Sequence, residues 1–206
     1  MHLASCDVSD ACDTLGIAAV RSGALRPLWA ECAALDGRLV TIRLDPGVET
    51  PLPQLLDVLA GASGRLVLVD LGGRLDMQCW GTVLATAAQH FGVRGALVNG
   101  AVRDVEGLRD LGFATYARGV YPAAMRGRLC VTAVGRPVEL EGGVVEPDAF
   151  AAADASGAIF LPAARAEEVL RVAADLRANE EQRLRAVRGG ADPRSVFAPG
   201  DRMSTS

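Results

Sequence analysis

Arg103 and Asp104 are the residues of this chain whose types and spacing best suggest chemistry. They follow an apolar segment, Ala96–Val98, and an Asn99-Gly100 pair, an order that predicts a strand, a tight turn and then two adjacent charged side chains. A guanidinium can hold a carboxylate through two hydrogen bonds, and a carboxylate is a hard oxygen ligand for Mg²⁺ or Mn²⁺. Placed just beyond a buried strand, the two residues predict a site for a small oxyacid near a divalent metal. The alternative interpretation is a surface ion pair that begins the next helix, with Asp104 as the N-cap.

The composition excludes several kinds of catalysis. All 21 basic residues are arginine, so chemistry that needs a Schiff-base, pyridoxal-phosphate or phosphate-loop lysine is excluded. The only histidines are His2 and His90, which argues against a zinc site of Cys and His ligands and against a Ser-His-Asp triad. His90 falls in a predicted helix, and we expect it on the helix surface.

Charge and cysteine content indicate where the protein works and which partners it lacks. The five cysteines show no CxxC spacing, and the N-terminus lacks the pattern of a secretory signal, which favours a reduced, cytoplasmic protein. The net charge is -4 without a basic cluster, which argues against a nucleic-acid partner. No apolar segment approaches the roughly 20 residues needed to cross a bilayer, so we expect no membrane partner.

Hydrophobic periodicity and the glycines predict an alternation of strands and helices. Helices are predicted at Ser5–Leu15, Leu55–Ala60, Thr82–Phe91, Val105–Leu111 and Ala163–Val187. Strands are predicted at Gly37–Leu44, Arg65–Leu71, Ala96–Val98, Phe113–Ala117, Leu129–Val134, Val138–Leu140, Val144–Val145 and Ala158–Leu161. The alternation through the central region favours parallel βαβ units, so the predicted fold class is α/β. We expect one domain at residues 1–188, including a long C-terminal helix, and a flexible tail at residues 189–206.

Seven segments of the chain, taken in order, resemble one protein family. They are Ser9–Gly16, Leu66–Asp70, Trp80-Gly81, Val98–Asp104, Phe113–Gly119, Gly142–Asp148 and Ala153–Pro162. On these segments, which lie within about residues 4–175, the chain is identified as a member of the regulator of ribonuclease activity A family. That family includes the 4-hydroxy-4-methyl-2-oxoglutarate aldolases.

The resemblance implies an architecture, an assembly and a site. The implied fold is a compact layered β/β/α sandwich of the swivelling-domain type, and the implied assembly is a homotrimer or a dimer of trimers with sites at subunit boundaries. Arg103 is expected to bind the carboxylate of a pyruvate unit, and Asp104 is expected to hold the divalent metal. Backbone amides at the start of the central helix are expected to bind pyruvate too, as helix N-termini bind carboxylates. These are the amides of Gly81, Thr82, Val83 and Leu84.

The implied reaction is aldol cleavage or decarboxylation of a 2-oxo acid, which releases pyruvate through an enolate. A lysine-free protein cannot hold that charge as an enamine, so Mg²⁺ or Mn²⁺ must act as the Lewis acid, as in class II aldolases. Arg103 would add positive charge near the enolate. Oxaloacetate would be decarboxylated at the same site, because its reaction passes through the same enolate.

Three departures from the family pattern leave other functions open. Thr82 stands where the family usually has Asp or Glu, and Gly107 stands where the aldolases have a carboxylate three residues after Asp104. Glu106 lies one place early, and a one-residue shift turns a helical side chain by about 100°, so we expect a weakly held metal. Ser156 stands at a position where members of the family often have Asp. The alternatives are a non-catalytic regulatory binding protein of the ribonuclease-regulator type, or a divergent enzyme that reuses the Arg-Asp pocket in specialised metabolism.

Overall fold

The structure, a computed structural model, describes residues 3–197 as alternating helices and strands. The helices are α1 (Ser5–Thr14), α2 (Leu52–Ala60), α3 (Thr82–His90), α4 (Val105–Leu111), α5 (Ala166–Arg188) and α6 (Pro193–Val196), with a 3₁₀ turn at Ala163–Arg165. The first strands are β1 (Val20–Ser22), β2 (Arg26–Pro27), β3 (Leu35–Pro46), β4 (Leu66–Asp70), β5 (Gln78–Trp80) and β6 (Gly95–Val102). The later strands are β7 (Thr115–Val120), β8 (Leu129–Val134), β9 (Val138–Leu140), β10 (Gly143–Val145), β11 (Phe150–Asp154) and β12 (Gly157–Leu161).

The long strand β3 connects two layers of sheet. Its first residues, from Leu35 to Arg38, pair antiparallel with β11, which pairs in turn with β12 and then β1. Its later residues, from Leu39 onward, pair in parallel with β4 and antiparallel with β8. Strands β4, β6 and β7 then continue in parallel, as βαβ units require. The single hydrogen-bonded path therefore forms a parallel central layer and an antiparallel second layer.

Strand β4 shows why the layers stack. Leu66 and Leu68 pack in the cluster between the two sheet layers, together with Phe160, whereas Val67 and Val69 pack in the cluster beneath α2 and α3. Successive residues of a strand point to opposite faces, so a strand that is covered on both sides must be apolar throughout. A third cluster packs α1 and α5 against the outer face of β11 and β12. The predicted layered α/β fold with a long C-terminal helix is confirmed.

The tight turn predicted at Asn99-Gly100 is wrong, because β6 continues through both residues to Val102. The Asn99 side chain donates from Nδ2 to Oδ1 of the buried Asp70 over 2.7 Å. A Cβ at Gly100 would lie 2.7 Å from Cβ of Leu71, so only glycine lets the segment after β4 pass so close to β6. The Asn-Gly pair therefore serves packing between neighbouring strands and not a reversal of the chain.

Several short elements were not predicted. Strand β11 has the alanine-rich sequence Phe-Ala-Ala-Ala-Asp, which has weak β propensity, and it is a strand because β3 and β12 pair with it on both sides. Strands β1, β2 and β5 are two or three residues long. Helix α6 lies inside the predicted flexible tail, and residues 198–206 of that tail lie outside the described residues. The domain boundary at residue 188 stays a prediction.

The remaining helix predictions agree closely with the structure. Helices α1, α3 and α4 begin at the predicted residues, and His90 is exposed at the end of α3 as expected. Across residues 3–197, no helix combines the length and the apolar character that a membrane crossing requires.

Candidate active site at the start of the central helix

The end of β6 and the start of α3 bring the predicted site residues together. The Arg103 amide donates to the carbonyl oxygen of Trp80 over 3.0 Å, which fixes residue 103 beside the residue that precedes Gly81. A Cβ at Gly81 would lie 3.1 Å from both Cγ of Arg103 and Oδ2 of Asp104. The carboxylate of Asp104 therefore lies directly against the N-cap of the central helix, where a larger residue would displace it.

Helix α3 presents its first backbone amides without a side-chain cap. Gly81 is the N-cap and has extended backbone, and the first intrahelical bond runs from the Ala85 amide to the Gly81 carbonyl over 3.0 Å. The amides of Thr82, Val83 and Leu84 precede that bond, so the helix itself does not use them. They carry the positive end of the helix dipole, and an anion is the ligand that such amides bind best.

Arg103 forms a loose ion pair with Asp104. Its Nε lies 3.4 Å from Oδ2 of Asp104, and the two side chains are 34% and 43% exposed. Among residues 3–197, Arg103 has no second acidic partner, so its two terminal nitrogens remain available. A guanidinium in this state can bind a carboxylate through two parallel hydrogen bonds.

Asp104 adopts a left-handed backbone conformation, with φ of 58° and ψ of 42°. It occupies the N-cap position of α4, but its side chain makes no capping hydrogen bond. The alternative interpretation is thus correct that Arg103 and Asp104 form an ion pair and that Asp104 is the N-cap, but the carboxylate does not cap the helix and lies against Gly81 instead. Left-handed residues other than glycine cost about 1 kcal/mol and concentrate at functional sites, and this one directs a carboxylate to the helix N-terminus.

The described residues offer few protein ligands for a divalent ion. Within the described part of the chain, His, Cys, Asp and Glu side chains form no group of three that would hold a metal. Asp104 supplies the carboxylate that lies against the start of α3, and the exposed Glu106 lies in the first turn of α4. Mg²⁺ commonly keeps several waters and needs only one or two carboxylates together with oxygens of the substrate. The residues therefore suit an ion that binds together with its substrate.

A cavity of about 370 Å³ adjoins Arg103, a size in the range of small-molecule sites. Its lining residues are Thr50, Pro51, Leu52, Val83, Arg103, Ala124, Met125 and Arg126. Of the predicted substrate-binding residues, Val83 and Arg103 line this cavity, whereas the side chain of Leu84 is buried in the core and leaves only its amide for a ligand. Met125 and Arg126 were not predicted, because the loop that carries them has no motif in the sequence.

The aromatic residue before Gly81 stabilises this corner of the fold. Trp80 is fully buried, and its ring stacks on Phe113 with a centroid distance of 6.1 Å. Because Trp80 also accepts the hydrogen bond from the Arg103 amide, its packing holds the end of β6 against the start of α3.

Comparison with known sequences relates the chain to one family. The profile of a family described as RraA-like, Aldolase/RraA, matches residues 5–160. A 4-hydroxy-4-methyl-2-oxoglutarate aldolase from Thermus thermophilus is 35% identical over 102 residues, which cover 48% of this chain and 60% of the relative. The chain spans about three fifths of the length of most of the curated relatives that it matches, and a fifth of one.

Comparison with solved structures supports the same fold. An uncharacterized protein from Pseudomonas syringae has a TM-score of 0.83 at 22% identity. The superposition covers 95% of this chain and 89% of the Pseudomonas protein. A Streptomyces coelicolor protein, RraAS2, is described as an unusual member of the RNase ES inhibitor RraA family. It has a TM-score of 0.75 at 26% identity, with 89% of this chain and 93% of its own covered.

Proposed function

This chain belongs to the RraA-like, Aldolase/RraA family, and from that premise we propose that it is a metal-dependent lyase acting on a 2-oxo acid. The reaction is aldol cleavage or decarboxylation, and it releases pyruvate through an enolate. The observation that carries the proposal is the contact geometry at Gly81, whose Cβ position lies 3.1 Å from Oδ2 of Asp104 and from Cγ of Arg103. A carboxylate, a guanidinium and unused helix amides converge there.

The chain's own residues bind and orient the substrate. The terminal nitrogens of Arg103 pair with the carboxylate of the 2-oxo acid, and the amides of Thr82, Val83 and Leu84 supply further donors on the helix side. These donors are fixed before the substrate arrives, so little reorganisation is needed when charge develops. The rest of the substrate extends into the cavity beside Arg103.

The chemistry needs a stabiliser of negative charge beside the 2-oxo carbon. When the carbon–carbon bond breaks, its electron pair moves onto the pyruvate unit, and the 2-oxo oxygen becomes an enolate oxygen. The other fragment leaves as CO2 or, after its hydroxyl has lost a proton to water, as a carbonyl compound, and a proton from water converts the enolate into pyruvate. Without a lysine in the chain, no enamine can take that charge. Mg²⁺ or Mn²⁺ at Asp104 would supply Lewis-acid polarisation of that oxygen. Arg103 and the helix N-terminus add positive charge on the same side.

Release of pyruvate from oxaloacetate and from 4-hydroxy-4-methyl-2-oxoglutarate tests this function. We expect turnover with Mg²⁺ or Mn²⁺, none with excess chelator, and a loss of at least about 100-fold in Arg103→Ala. The matched control is Arg109→Ala, which removes the same charge from an exposed position of α4 and should keep full activity. Equal rates in Arg103→Ala and the intact protein, or no turnover with either metal, would refute the proposal.

A second candidate function is regulation of a ribonuclease by direct binding. Thr82 and Gly107 replace two expected carboxylates, and the Streptomyces coelicolor relative is described within an RNase ES inhibitor family. A regulator of this kind should bind purified RNase ES equally well with and without chelator. Lack of turnover together with such binding would favour this function over the lyase. Lack of both would favour a divergent enzyme that uses the same pocket on another oxyacid.

We also propose that the protein assembles as a homotrimer or a dimer of trimers. Two apolar side chains near the site, Val83 and Val120, are 62% and 60% exposed in the single chain, and burial against another subunit would remove them from water. Size-exclusion chromatography with light scattering gives the mass of the assembly directly, and a monomer at micromolar concentration would exclude both assemblies.

A further inference from the structure

A second arginine, Arg126, lines the cavity that contains Arg103. Among residues 3–197, the Arg126 side chain has neither an acidic partner nor a hydrogen-bond acceptor. Arg43, by contrast, uses its guanidinium within the chain, where it bonds both Asp45 and Asp70. A guanidinium that lines a cavity without a partner is placed to bind a group from outside the chain.

The backbone around Arg126 holds it in place. The Gly127 amide donates to the Glu49 carbonyl over 3.0 Å, and the Gly47 amide donates to the Arg128 carbonyl over 2.9 Å. The turn is closed by the Arg128 amide, which donates to the Met125 carbonyl over 3.0 Å. These bonds attach the loop between β7 and β8 to the segment after β3. The backbone of Arg126 is thus held beside the cavity, so the loop itself need not be ordered when a ligand binds, although the exposed side chain is free to move until then.

Much of the wall of this cavity is apolar. Leu52, Val83 and Met125 all line the same cavity of about 370 Å³. These three side chains are apolar, so a ligand that contacts them gains by burying carbon atoms, and Thr50 supplies the one hydroxyl among the lining residues. The cavity therefore has two cationic groups and an apolar wall, and it is complementary to a molecule with two anionic groups joined by a carbon chain.

We propose that Arg126 is a specificity-determining residue, which binds a second anionic group of the substrate while Arg103 binds the first. This inference rests on the proposed function, because it assumes that Arg103 holds the 2-oxo acid end. Arg126 then selects 2-oxo dicarboxylates over 2-oxo acids that end in an alkyl group. A planar guanidinium is well suited to this task, since it binds a carboxylate through two hydrogen bonds.

Binding of 2-oxoglutarate and 2-oxovalerate, measured by calorimetry with Mg²⁺ present, tests the role of Arg126. The two acids share the carbon chain and the 2-oxo acid end, and they differ only in whether the far end is a carboxylate or a methyl group. Neither has a 4-hydroxyl group or a carboxylate beta to the carbonyl, so neither is cleaved and binding is read without turnover. In Arg126→Gln, we expect 2-oxoglutarate to bind about 10- to 100-fold more weakly and 2-oxovalerate to bind as before.

The matched control is Arg128→Gln. It removes the same charge at a position two residues from Arg126, and the Arg128 side chain does not line the cavity. We expect it to leave the affinity for both acids unchanged. The assignment of Arg126 is overturned if both variants weaken 2-oxoglutarate equally, if neither does, or if the intact protein does not bind 2-oxoglutarate. Arg103→Ala separates the two proposals: unchanged affinity for both acids there would refute the proposed active site itself. A failure of Arg126→Gln alone would leave that site standing.

Discussion

Thr82 and Gly107 compete for one space between α3 and α4, because a Cβ on Gly107 would lie 2.5 Å from Oγ1 of Thr82. Real Cβ atoms essentially never approach a neighbour so closely. Both positions are those where the family resemblance leads us to expect carboxylates. With Thr82 in this conformation, any residue larger than glycine at position 107 would have to displace the Thr82 hydroxyl, so the two departures are in direct contact.

We predict that the effect of Gly107→Ala on stability changes sign with the residue at position 82. In the intact protein, the clash with Thr82 should cost about 1–3 kcal/mol, which outweighs the gain of about 1 kcal/mol from replacing a helical glycine. In Thr82→Ala, the nearest remaining atom of residue 82 is the Cβ at 3.5 Å, so Gly107→Ala should stabilise the protein. Urea unfolding of the intact protein, Gly107→Ala, Thr82→Ala and the double variant measures the coupling between residues 82 and 107. If Gly107→Ala changes the free energy of unfolding by the same amount with Thr82 and with Ala at position 82, the two residues do not compete for space.

Asp104 allows charge and backbone conformation to be separated. Asn adopts left-handed backbone at least as readily as Asp, so Asp104→Asn should unfold at nearly the same temperature while losing pyruvate release by about 100-fold or more. Asp104→Ala should lose the activity too, and it should lose about 1 kcal/mol of stability because Ala disfavours a φ of 58°. Thermal unfolding and a pyruvate assay on both variants check this, with the exposed Asp110→Asn as the control. Full activity in Asp104→Asn would refute the role of the carboxylate.

Gly81→Ala should impair activity more than folding. The backbone of Gly81 is extended, with φ of −174°, so alanine causes no strain there. Its Cβ, however, would press at 3.1 Å on Oδ2 of Asp104 and Cγ of Arg103. We expect a shift of a few tenths of an ångström in both side chains and a fall in kcat/KM of about 10-fold or more, because catalysis depends on such placement. The unfolding midpoint in urea should change little. A kcat/KM equal to that of the intact protein would mean that this contact does not position the site.

The attachment of the N-terminal helix to the end of β11 should weaken in acid, because the Asp154 carboxylate accepts hydrogen bonds from the Ser5 amide and hydroxyl. Burial raises the pKa of Asp154, but hydrogen bonds outweigh it and hold that pKa below its usual value. They come from the Ser5 amide over 2.6 Å and the Ser156 amide over 2.8 Å. Because the folded pKa is lowered, the stabilisation is present above the unfolded pKa of about 3.9 and is lost as the pH falls through the folded pKa.

Thermal unfolding of Asp154→Asn and of the intact protein, measured from neutral to acidic pH, tests this role of Asp154. We expect Asp154→Asn to be less stable than the intact protein at pH 7 and the difference to shrink below about pH 4. The exposed Asp175→Asn serves as the control and should show no such convergence. A stability gap that stays constant down to pH 2 would show that the charge of Asp154 does not stabilise the helix.

The sequence by itself determined the elements whose pattern is local. Strand β4 was predicted from a continuous apolar segment, helix α3 from its helical pattern and the glycine that ends it, and helix α4 from its place between two strands. The position of Arg103 and Asp104 just past the end of β6 was predicted in the same way. These features depend on residues within one turn of helix or one strand, so neighbouring residues are enough to specify them.

Only the tertiary structure decided the features that join distant segments. Asn99 and Gly100 resemble a turn, yet they continue β6 because the chain near Asp70 and Leu71 packs against them. Arg126 reaches the cavity of Arg103 only through a loop that bonds to another loop, about 80 residues earlier in the chain. The contact of Thr82 with Gly107 likewise depends on how α3 packs beside α4. Such relationships are set by packing between elements, and a local pattern carries no information about which distant residue will fill a given space.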